Sequence, residues 1–234
     1  DELKALNFSE KEKGIIKKYL NNNNVKKYRI DFKEEYLIYS DKKAKEKIKS
    51  GEYPHIKTHL DRTKPFITSS NAPYGLHRPR EEKYFENPKL ICKGMFLTPE
   101  FCFDDEKYYV GFSFSVIIQK NKDYSLKYLL GLLNSGFSKD WFNANGKKRG
   151  VGVDIGVGVF RQFPVHKATQ QQQKAIVDFV DKITALNQEL NNTLENSNEW
   201  EKIKSEIEKT DKKIDQEVYK LYGLTEEEIN IVEK

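Results

Sequence analysis

The chain of 234 residues is long enough for one large domain or for a compact domain with an extension. Apolar residues make up 37% of it, charged residues 33% and aromatic residues 12%, which excludes wholesale disorder. No run approaches the roughly 18 consecutive apolar residues that a membrane-spanning helix needs. Two cysteines, Cys92 and Cys102, indicate buried thiols in a reducing, cytoplasmic setting rather than a disulfide scaffold. Since the sequence opens without Met, we expect a piece of a longer polypeptide.

The net charge of +5 is distributed unevenly along the chain. Residues 1–165 hold 31 Lys+Arg against 21 Asp+Glu, a net charge of +10, and residues 166–234 hold 10 against 15, a net charge of −5. This asymmetry predicts a polyanion-binding domain over 1–165 and a separate interaction part over 166–234. Because 35 of the 41 cations are Lys, the few Arg residues are the better markers of sites that need a planar, two-pronged donor.

The first 50 residues contain signals for helices and strands. Ser9 to Glu12 form a capping-box pattern followed by apolar residues at helical spacing, which predicts a helix near residues 10–20. The β-rich stretches 28–32 and 36–39 are separated by three charged residues and predict a hairpin. The Lys-rich stretch 41–50 predicts a second helix.

Residues 53–88 form a long basic and aromatic stretch with several prolines and little periodicity. We expect a loop region here, and loops of this length inside a compact domain are usually functional. Its candidate nucleic-acid contacts are Arg62, Tyr74, His77, Arg78 and Arg80. Two arginines fixed across Pro79 offer forks of the kind that read guanine in the major groove, although ion pairs to Glu81 or Glu86 would give them a structural role instead.

The middle of the chain alternates between strand and helix signals. Strands are predicted at 89–96, 101–103 and 108–118, and helices at 123–134 and 138–143. The glycine-rich segment 146–152 predicts a mobile basic linker. Its charges come from Lys147, Lys148 and Arg149, which are candidate phosphate contacts.

Beyond residue 166 the pattern is that of two long helices. Ile176, Phe179, Ile183, Leu186 and Leu190 repeat at three and four, which predicts a coiled-coil-like antiparallel hairpin. A glycine then ends the second helix and a capping box opens a last short one. The predicted fold class is therefore α+β, with a mixed β-sheet recognition domain and flanking helices followed by a C-terminal antiparallel helical hairpin.

Four weaker patterns suggest chemistry and have simpler explanations. Asn71 to Tyr74 approaches the base-gripping motif of amino-methyltransferases, but no methyl-donor loop precedes it. Gly150 and Gly152 begin a dinucleotide fingerprint that is not completed. Asp61 with the Glu81 to Lys83 triplet could serve a Mg²⁺-dependent nuclease, or could be solvated charges. The histidines and cysteines lack zinc-site spacing, so we expect no metal.

The chain resembles the TaqI-like C-terminal specificity domain of bacterial restriction-modification proteins. The resemblance depends on the order of several short segments, none of them diagnostic alone. These are Tyr36-Leu37-Ile38-Tyr39, Leu76-His77-Arg78-Pro79-Arg80 with Tyr84-Phe85 and Pro88-Lys89, Leu129-Leu130-Gly131-Leu132-Leu133-Asn134-Ser135, Phe163-Pro164-Val165 and the run from Ile214 to Ile229.

The resemblance implies a module that reads double-stranded DNA for a type II, type IIG-like restriction-modification enzyme. An adenine methyltransferase or nuclease domain elsewhere in the parent chain would be its partner, with S-adenosylmethionine and Mg²⁺ as cofactors of the parent only. This fragment would carry no catalytic group, no cofactor and no membrane contact. Arg62, Tyr74, His77, Arg78 and Arg80 would contact bases or phosphates, and Lys147, Lys148 and Arg149 the backbone.

Two other functions remain open from the sequence. The chain could be half of a type I-like specificity subunit that acts mainly in assembly, with its helical hairpin as the dimer contact. It could also be the Mg²⁺-dependent nuclease built on Asp61 and Glu81 to Lys83.

Overall fold

The structure is a computed structural model that describes residues 6–67 and 70–233. In this part of the chain the strands are β1 Ile16–Leu20, β2 Val25–Lys26, β3 Arg29–Ile30, β4 Tyr36–Ile38, β5 Lys89–Lys93, β6 Met95–Phe96, β7 Phe101–Asp104, β8 Tyr109–Val110, β9 Phe114–Ile118, β10 Lys147–Arg149 and β11 Gly152–Asp154. The α-helices are α1 Glu10–Lys13, α2 Lys42–Ser50, α3 Pro54–Thr63, α4 Leu126–Asn134, α5 Gly136–Asn145, α6 Val157–Phe160, α7 Gln170–Asn192, α8 Asn198–Tyr222 and α9 Glu226–Val232.

These elements confirm the α+β class and divide into two compact units. Unit 1 comprises the described residues of Asp1–Leu20, Lys33–Glu86 and Lys107–Tyr109, and unit 2 comprises Asn21–Phe32, Asn87–Glu106 and the described residues of Val110–Lys234. The expected division into a recognition domain over 1–165 and a helical hairpin over 166–234 stays a prediction.

Unit 1 contains a small sheet with strand order β4–β1–β8 and two helices on a separate apolar cluster. The cluster contains buried Phe8, Ile48, Tyr53 and Ile56, so α2 and α3 each contribute an isoleucine to it. Asp41 caps α2 by accepting from Ala44 N–H, which confirms the helix expected at 41–50.

A buried carboxylate sets the start of α3. Tyr53 offers no side-chain cap and Pro54 has no N–H, so the first free backbone donors of α3 belong to His55 and Ile56. Both donate to Glu12 Oε1, at 2.8 and 3.0 Å. The other oxygen of Glu12 accepts from Ser9 and lies 2.8 Å from His55 Nδ1. Glu12 thus closes the capping box of α1 and caps α3 from 43 residues away.

Two predictions for the first 40 residues are wrong. The helix that begins at Glu10 lasts one turn, and Ile16–Leu20 is a strand because it pairs antiparallel with Tyr36–Ile38. The expected hairpin between 28–32 and 36–39 does not form, since Arg29–Ile30 pairs with Val25–Lys26 instead. The strand stretches were identified correctly, but their partners lie elsewhere in the sequence.

The loop expected over 53–88 is shorter than predicted. Pro54–Thr63 is the helix α3, and the 3₁₀ turns Lys64–Phe66 and Glu82–Tyr84 add further order. Proline is favoured at the first position of a helix, as Pro54 is here. The prolines of this stretch therefore do not by themselves indicate a loop. The irregular stretch that remains within the described residues is centred on 70–81.

Unit 2 is built on an antiparallel sheet of order β7–β5–β9. Lys89 and Asp104 lie directly opposite each other in this sheet and form a fully buried ion pair. Cys92 and Cys102 are free, buried thiols, as expected. Their pKa values lie above the usual range because burial disfavours the thiolate. The predicted strands of this region are confirmed, although a turn at Gly111–Ser113 interrupts the last one.

The segment 129–135 is one of those on which the family resemblance depends, and it connects α4 and α5 to strand β7. The Asn134 side chain accepts from Phe101 N–H and donates to Phe101 C=O, both at 2.9 Å and both buried. Ser135 caps α5, and a Cβ at Gly131 would lie 2.4 Å from the Ile176 side chain, so glycine lets α4 and α7 approach closely. This segment therefore acts in packing.

Helices α7 and α8 pack on each other as the predicted antiparallel hairpin. The seam differs from the predicted one, because Val180 and Asn187 are buried at the positions expected for Phe179 and Leu186. The buried repeat on α7 is Gln173, Ile176, Val180, Ile183, Asn187 and Leu190, spaced alternately three and four. Because Gln173 and Asn187 are polar, the spacing of apolar residues alone predicts the wrong buried positions on α7. The Gly223 cap and the Thr225 capping box are confirmed.

The basic linker expected at 146–152 is a β-hairpin. Lys147–Arg149 pairs antiparallel with Gly152–Asp154, which pairs in turn with Met95–Phe96. Gly150 has φ +56° at the first position of the two-residue turn, a conformation that a hairpin turn requires and that glycine adopts without strain. Among the described residues, no helix combines the length and apolarity needed to cross a bilayer.

The Glu12 carboxylate gives a stability prediction. Burial alone would raise its pKa, but hydrogen bonds from Ser9 and Ile56 outweigh burial and lower it to about 2. Its stabilisation is therefore present above the ordinary pKa of 4.5 and is lost as the pH falls through 2. Glu12→Gln turns an amide N–H₂ toward these donors and should lower the free energy of unfolding by at least ~2 kcal/mol at pH 7. Urea denaturation at pH 7 and pH 3 measures this.

The matched control is Glu10→Gln, an exposed glutamate in the same helical turn, which should be within ~0.5 kcal/mol of wild type. Equal stability of the Glu12 and Glu10 variants at pH 7 would contradict the role given to the buried carboxylate.

Asp215 gives the opposite pH dependence. It accepts from Gly136 N–H at 2.8 Å, and burial raises its pKa from 3.8 to about 6, with Lys27 opposing this and Asp211 and Glu233 adding to it. A raised carboxyl pKa means stability that is complete below pH 3.8 and is lost as the pH rises through 6. Asp215→Asn keeps an oxygen for Gly136 and should be about 2–3 kcal/mol more stable than wild type at pH 8.

That gain should vanish at pH 4, measured by denaturation at both pH values. Asp178→Asn, an exposed aspartate on α7, is the control and should show no such pH-dependent gain. A destabilised Asp215→Asn variant at pH 8 would show that the charge itself is needed.

Candidate nucleic-acid interface

The predicted contact residues fall into two groups on different compact units. Arg62, Tyr74, His77, Arg78 and Arg80 belong to unit 1, and Lys147, Lys148 and Arg149 to unit 2. We describe each group by itself.

The last turn of α3 holds the loop 70–80 in place. Tyr74 O–H donates to Asp61 on α3 at 2.6 Å, and Lys57 pairs with the same carboxylate at 2.8 Å. Both partners lower the pKa of Asp61, and Lys57 has the larger effect. Tyr74 also packs on the apolar cluster of unit 1. It is thus a positioning residue for the loop, while Arg62 one residue beyond Asp61 is exposed.

The rest of the loop is braced by its own polar groups. Asn71 Nδ2 donates to the carbonyls of Leu76 and His77, at 2.9 and 3.2 Å. His77 is exposed and its Nδ1 lies 3.1 Å from Ser70 Oγ. Leu76 N–H donates to Ser40 C=O, which ties the loop to the end of β4. The backbone before Arg78 is therefore fixed at several points.

Arg78 and Arg80 have different surroundings. The Arg80 guanidinium is half-buried over the Phe85 ring at 5.2 Å, and burial lowers its pKa. Tyr39 O–H donates to the Arg80 carbonyl at 2.5 Å, so backbone and side chain are both held. Arg78 is exposed, and no ion pair joins it to the described residues. Its guanidinium is therefore accessible to a ligand.

The expected ion pairs to Glu81 or Glu86 do not occupy Arg78. Glu81 pairs with Lys83 at 2.6 Å. Glu86 accepts from Tyr109 O–H at 2.6 Å and pairs with Lys17 at 3.1 Å. Tyr109 in turn stacks on Phe85 at 4.5 Å, so the acidic side chains next to the loop serve its framework.

In unit 2, the hairpin β10–β11 presents three exposed cations. The register places Lys147 opposite Asp154 and Lys148 opposite Val153. Arg149 Nε bonds Asp154 Oδ2 at 2.8 Å, which fixes the plane of the guanidinium. Successive side chains of a strand point to opposite faces, so Lys147 and Arg149 share the face of Asp154 and Lys148 projects from the other. Lys148 thus lies on the face of the hairpin away from the Asp154 carboxylate.

Among the described residues, no group of three or more His, Cys, Asp or Glu is arranged to hold a metal ion. The carboxylates of the nuclease alternative are engaged with cations, Asp61 with Lys57 and Glu81 with Lys83. The arrangement is one of charged forks and ammonium groups on a fixed framework, which suits binding of a polyanion.

Sequence reasoning missed two residues of this region. Glu12 positions α3, and a local capping box gave no sign of its long-range contacts. Phe66, in the 3₁₀ turn after α3, is 83% exposed, and its place two residues after Lys64 in a basic stretch is the available signal.

The sequence profile of the TaqI-like C-terminal specificity domain matches residues 17–165, more than half of the chain. The chain belongs to this family. The match covers both groups of candidate residues and confirms the resemblance drawn from the short segments. The helices α7 to α9 lie beyond the matched part of the specificity domain.

Two known proteins are similar to this specificity domain. The type II methyltransferase M.MjaIV of Methanocaldococcus jannaschii is 27% identical over 169 residues, which are 64% of this chain and 53% of the methyltransferase. The solved structure of the type IIL restriction-modification enzyme MmeI in complex with DNA has a TM-score of 0.65 at 14% identity and covers 92% of this chain. That likeness shows a shared fold.

The specificity domain spans about half of M.MjaIV and 29% of the MmeI chain. It is thus of the kind found in restriction-modification enzymes, and its similarity covers part of each relative.

Proposed function

We propose that this chain is the sequence-specific DNA recognition module of a type II, type IIG-like restriction-modification enzyme. The observation that carries the proposal is the exposed Arg78 on a loop braced by Tyr74, Asn71 and Arg80, within a specificity domain. A planar guanidinium on a fixed backbone matches the paired acceptors of guanine, O6 and N7. The relative MmeI was solved in complex with DNA, which supports the same class of ligand.

The segment 1–165 is the DNA-contacting part of the proposal. Its net charge of +10 suits phosphate binding, with Arg62 as a phosphate contact of unit 1 and Lys147 and Lys148 as phosphate contacts of unit 2. Arg78 would read a base, and His77 beside it would contact a base or a phosphate. Arg80 and Tyr74 would act by positioning the loop, and Arg149, oriented by Asp154, would contact the backbone.

The segment 166–234, with a net charge of −5, would pack on the rest of the parent protein or on a second copy rather than on DNA. In this proposal a methyltransferase domain with S-adenosylmethionine, and a nuclease with Mg²⁺ where one exists, lie elsewhere in the parent chain. The methyltransferase would extrude its target adenine while this module selects the site.

Selection from a randomised duplex pool tests the proposal. The 234-residue chain is bound at low and at moderate salt, and the retained DNA is sequenced. An enriched motif of a few base pairs supports sequence reading by this chain. Retention without enrichment would contradict autonomous reading, and no retention at low salt would favour the assembly function of the helical hairpin.

Arg78→Ala and Arg80→Ala should have different effects on the selected motif. Loss of a base-reading fork should cost about 1–3 kcal/mol of binding and relax one position of the motif. Arg80→Ala removes a guanidinium that packs on Phe85, so it should lower the unfolding temperature, which Arg78→Ala should not, and should relax the motif less than Arg78→Ala does. Repeating the selection with each variant measures this. An unaltered motif with Arg78→Ala would contradict the assignment.

Lys148→Ala should weaken binding to all sequences alike, because a phosphate contact carries no sequence information. The plot of log affinity against log salt should become shallower by about 0.9, the contribution of one phosphate. Fluorescence anisotropy at a series of salt concentrations measures the slope. Lys202→Ala, an exposed lysine on α8, is the control and should leave the slope unchanged. Equal slopes for both variants would remove Lys148 from the interface.

A further inference from the structure

An exposed aromatic ring lies on the 3₁₀ turn that follows α3 in unit 1. Phe66 is 83% exposed in the 3₁₀ turn Lys64–Phe66 that follows α3. Exposing such a ring forgoes the ~2 kcal/mol that its burial would contribute. The position of Phe66 is not explained by the core of unit 1, whose members do not include it.

The backbone holds this ring at a fixed place. Pro65 lies inside the turn with its own φ restricted, and Ile67 N–H donates to Lys64 C=O at 3.2 Å to close it. The turn continues directly from α3, whose start is anchored on Glu12. The ring is therefore carried on a 3₁₀ turn that continues from α3.

The charges around the ring are positive. Arg62 and Lys64 are exposed, and no ion pair joins either of them to the described residues. The nearby acid, Asp61, is engaged by Lys57 and Tyr74. The turn thus carries two exposed cations beside one flat apolar surface, and Lys64 also interacts electrostatically with Asp61.

This combination matches one ligand chemistry, which is a nucleic acid. Phosphates attract the cations, and bases offer flat apolar faces on which an aromatic ring stacks. A protein interface also places a polar rim around an apolar anchor, so the choice of ligand rests on charge: Phe66, Arg62 and Lys64 belong to the segment 1–165, whose net charge is +10. Leu194 provides the contrast, since it is 81% exposed in the turn of the acidic helical hairpin, where phosphate would be repelled.

We propose that Phe66 is a DNA-stacking residue that inserts against a base step of the bound duplex, while Arg62 and Lys64 hold the flanking phosphates. This inference rests on the proposed DNA-binding function and adds a contact to it. Insertion of an apolar side chain partly unstacks the step and bends the duplex, so flexible steps bind best.

The test compares two probes, a 20-base-pair duplex and the same duplex with two central mismatched pairs. A stacking residue gains more from the mismatched duplex, whose bases are already unstacked. Wild type should therefore bind the mismatched probe more tightly, as measured by fluorescence anisotropy. Phe66→Ala should lose about 5- to 150-fold in affinity for that probe and lose the preference for it. Its salt slope should stay the same, because the cations remain.

Phe66→Trp should retain both the affinity and the preference, since the indole also stacks. Leu194→Ala removes a similarly exposed apolar side chain and should bind like wild type. Thermal unfolding of all variants should match wild type, because each altered side chain is exposed.

Phe66→Ala binding both probes as wild type does would overturn the stacking role and leave the proposed function standing. A changed salt slope in Phe66→Ala, or an equal loss in Leu194→Ala, would also overturn it, because the effect would then not belong to the ring. Failure of wild type to bind either duplex at low salt would overturn the proposed function together with this inference.

Discussion

The candidate surface of unit 1 depends on the buried carboxylate of Glu12. A charge taken out of water is costly unless hydrogen bonds replace its hydration, and this one has donors from Ser9, His55 and Ile56. The same bonds complete two helix starts that lie far apart in sequence. The carboxylate therefore converts a one-turn helix near the N-terminus into the anchor of α3.

Individual side-chain contacts then connect α3 to the loop 70–80 and hold that loop in place. Asp61 near the end of the helix holds Tyr74, Asn71 holds the carbonyls before Arg78, and the Arg80 side chain lies on Phe85. Rigid backbone with one free side chain is the arrangement that specificity requires, because a guanidinium can discriminate between bases only if its position is known in advance. Of the candidates Tyr74, Arg78 and Arg80, the first and the last therefore hold the loop in position, and Arg78 is exposed to a ligand.

The sequence predicted the elements that have local causes. Helices α2, α4, α7 and α9 begin at side-chain caps, and these signals lie within four residues of the helix they start. Strand partners have no such local cause. Ile16–Leu20 was assigned to a helix because its pairing with Tyr36–Ile38 is not visible in its own spacing. The basic segment 146–152 forms a hairpin rather than the expected linker, and Gly150 in the two-residue turn is the local signal for it.

The candidate residues could be identified from sequence, but their division of roles could not. Arg78 and Arg80 are equivalent in a basic Arg-Pro-Arg stretch, and the distinction arises from the contacts of Arg80 with Phe85 and Tyr39, which only the fold creates. The exposure of Phe66 could not be predicted, because an exposed and a buried phenylalanine look the same in a sequence. Exposure is a property of the tertiary structure.

Glu12 and Asp215 show why burial alone does not decide the behaviour of an acid in this chain. Glu12 is fully buried and its pKa falls to about 2, whereas the pKa of Asp215 rises to about 6. The difference lies in the donors. Several N–H and O–H groups meet the first carboxylate, but Asp215 has the single N–H of Gly136 and two acidic neighbours, Asp211 and Glu233. A carboxylate with enough donors can fix a framework at neutral pH, and one without them weakens it. The loop that presents Arg78 depends on the first kind, so the surface proposed to bind DNA keeps its shape over the pH range in which phosphates are fully charged.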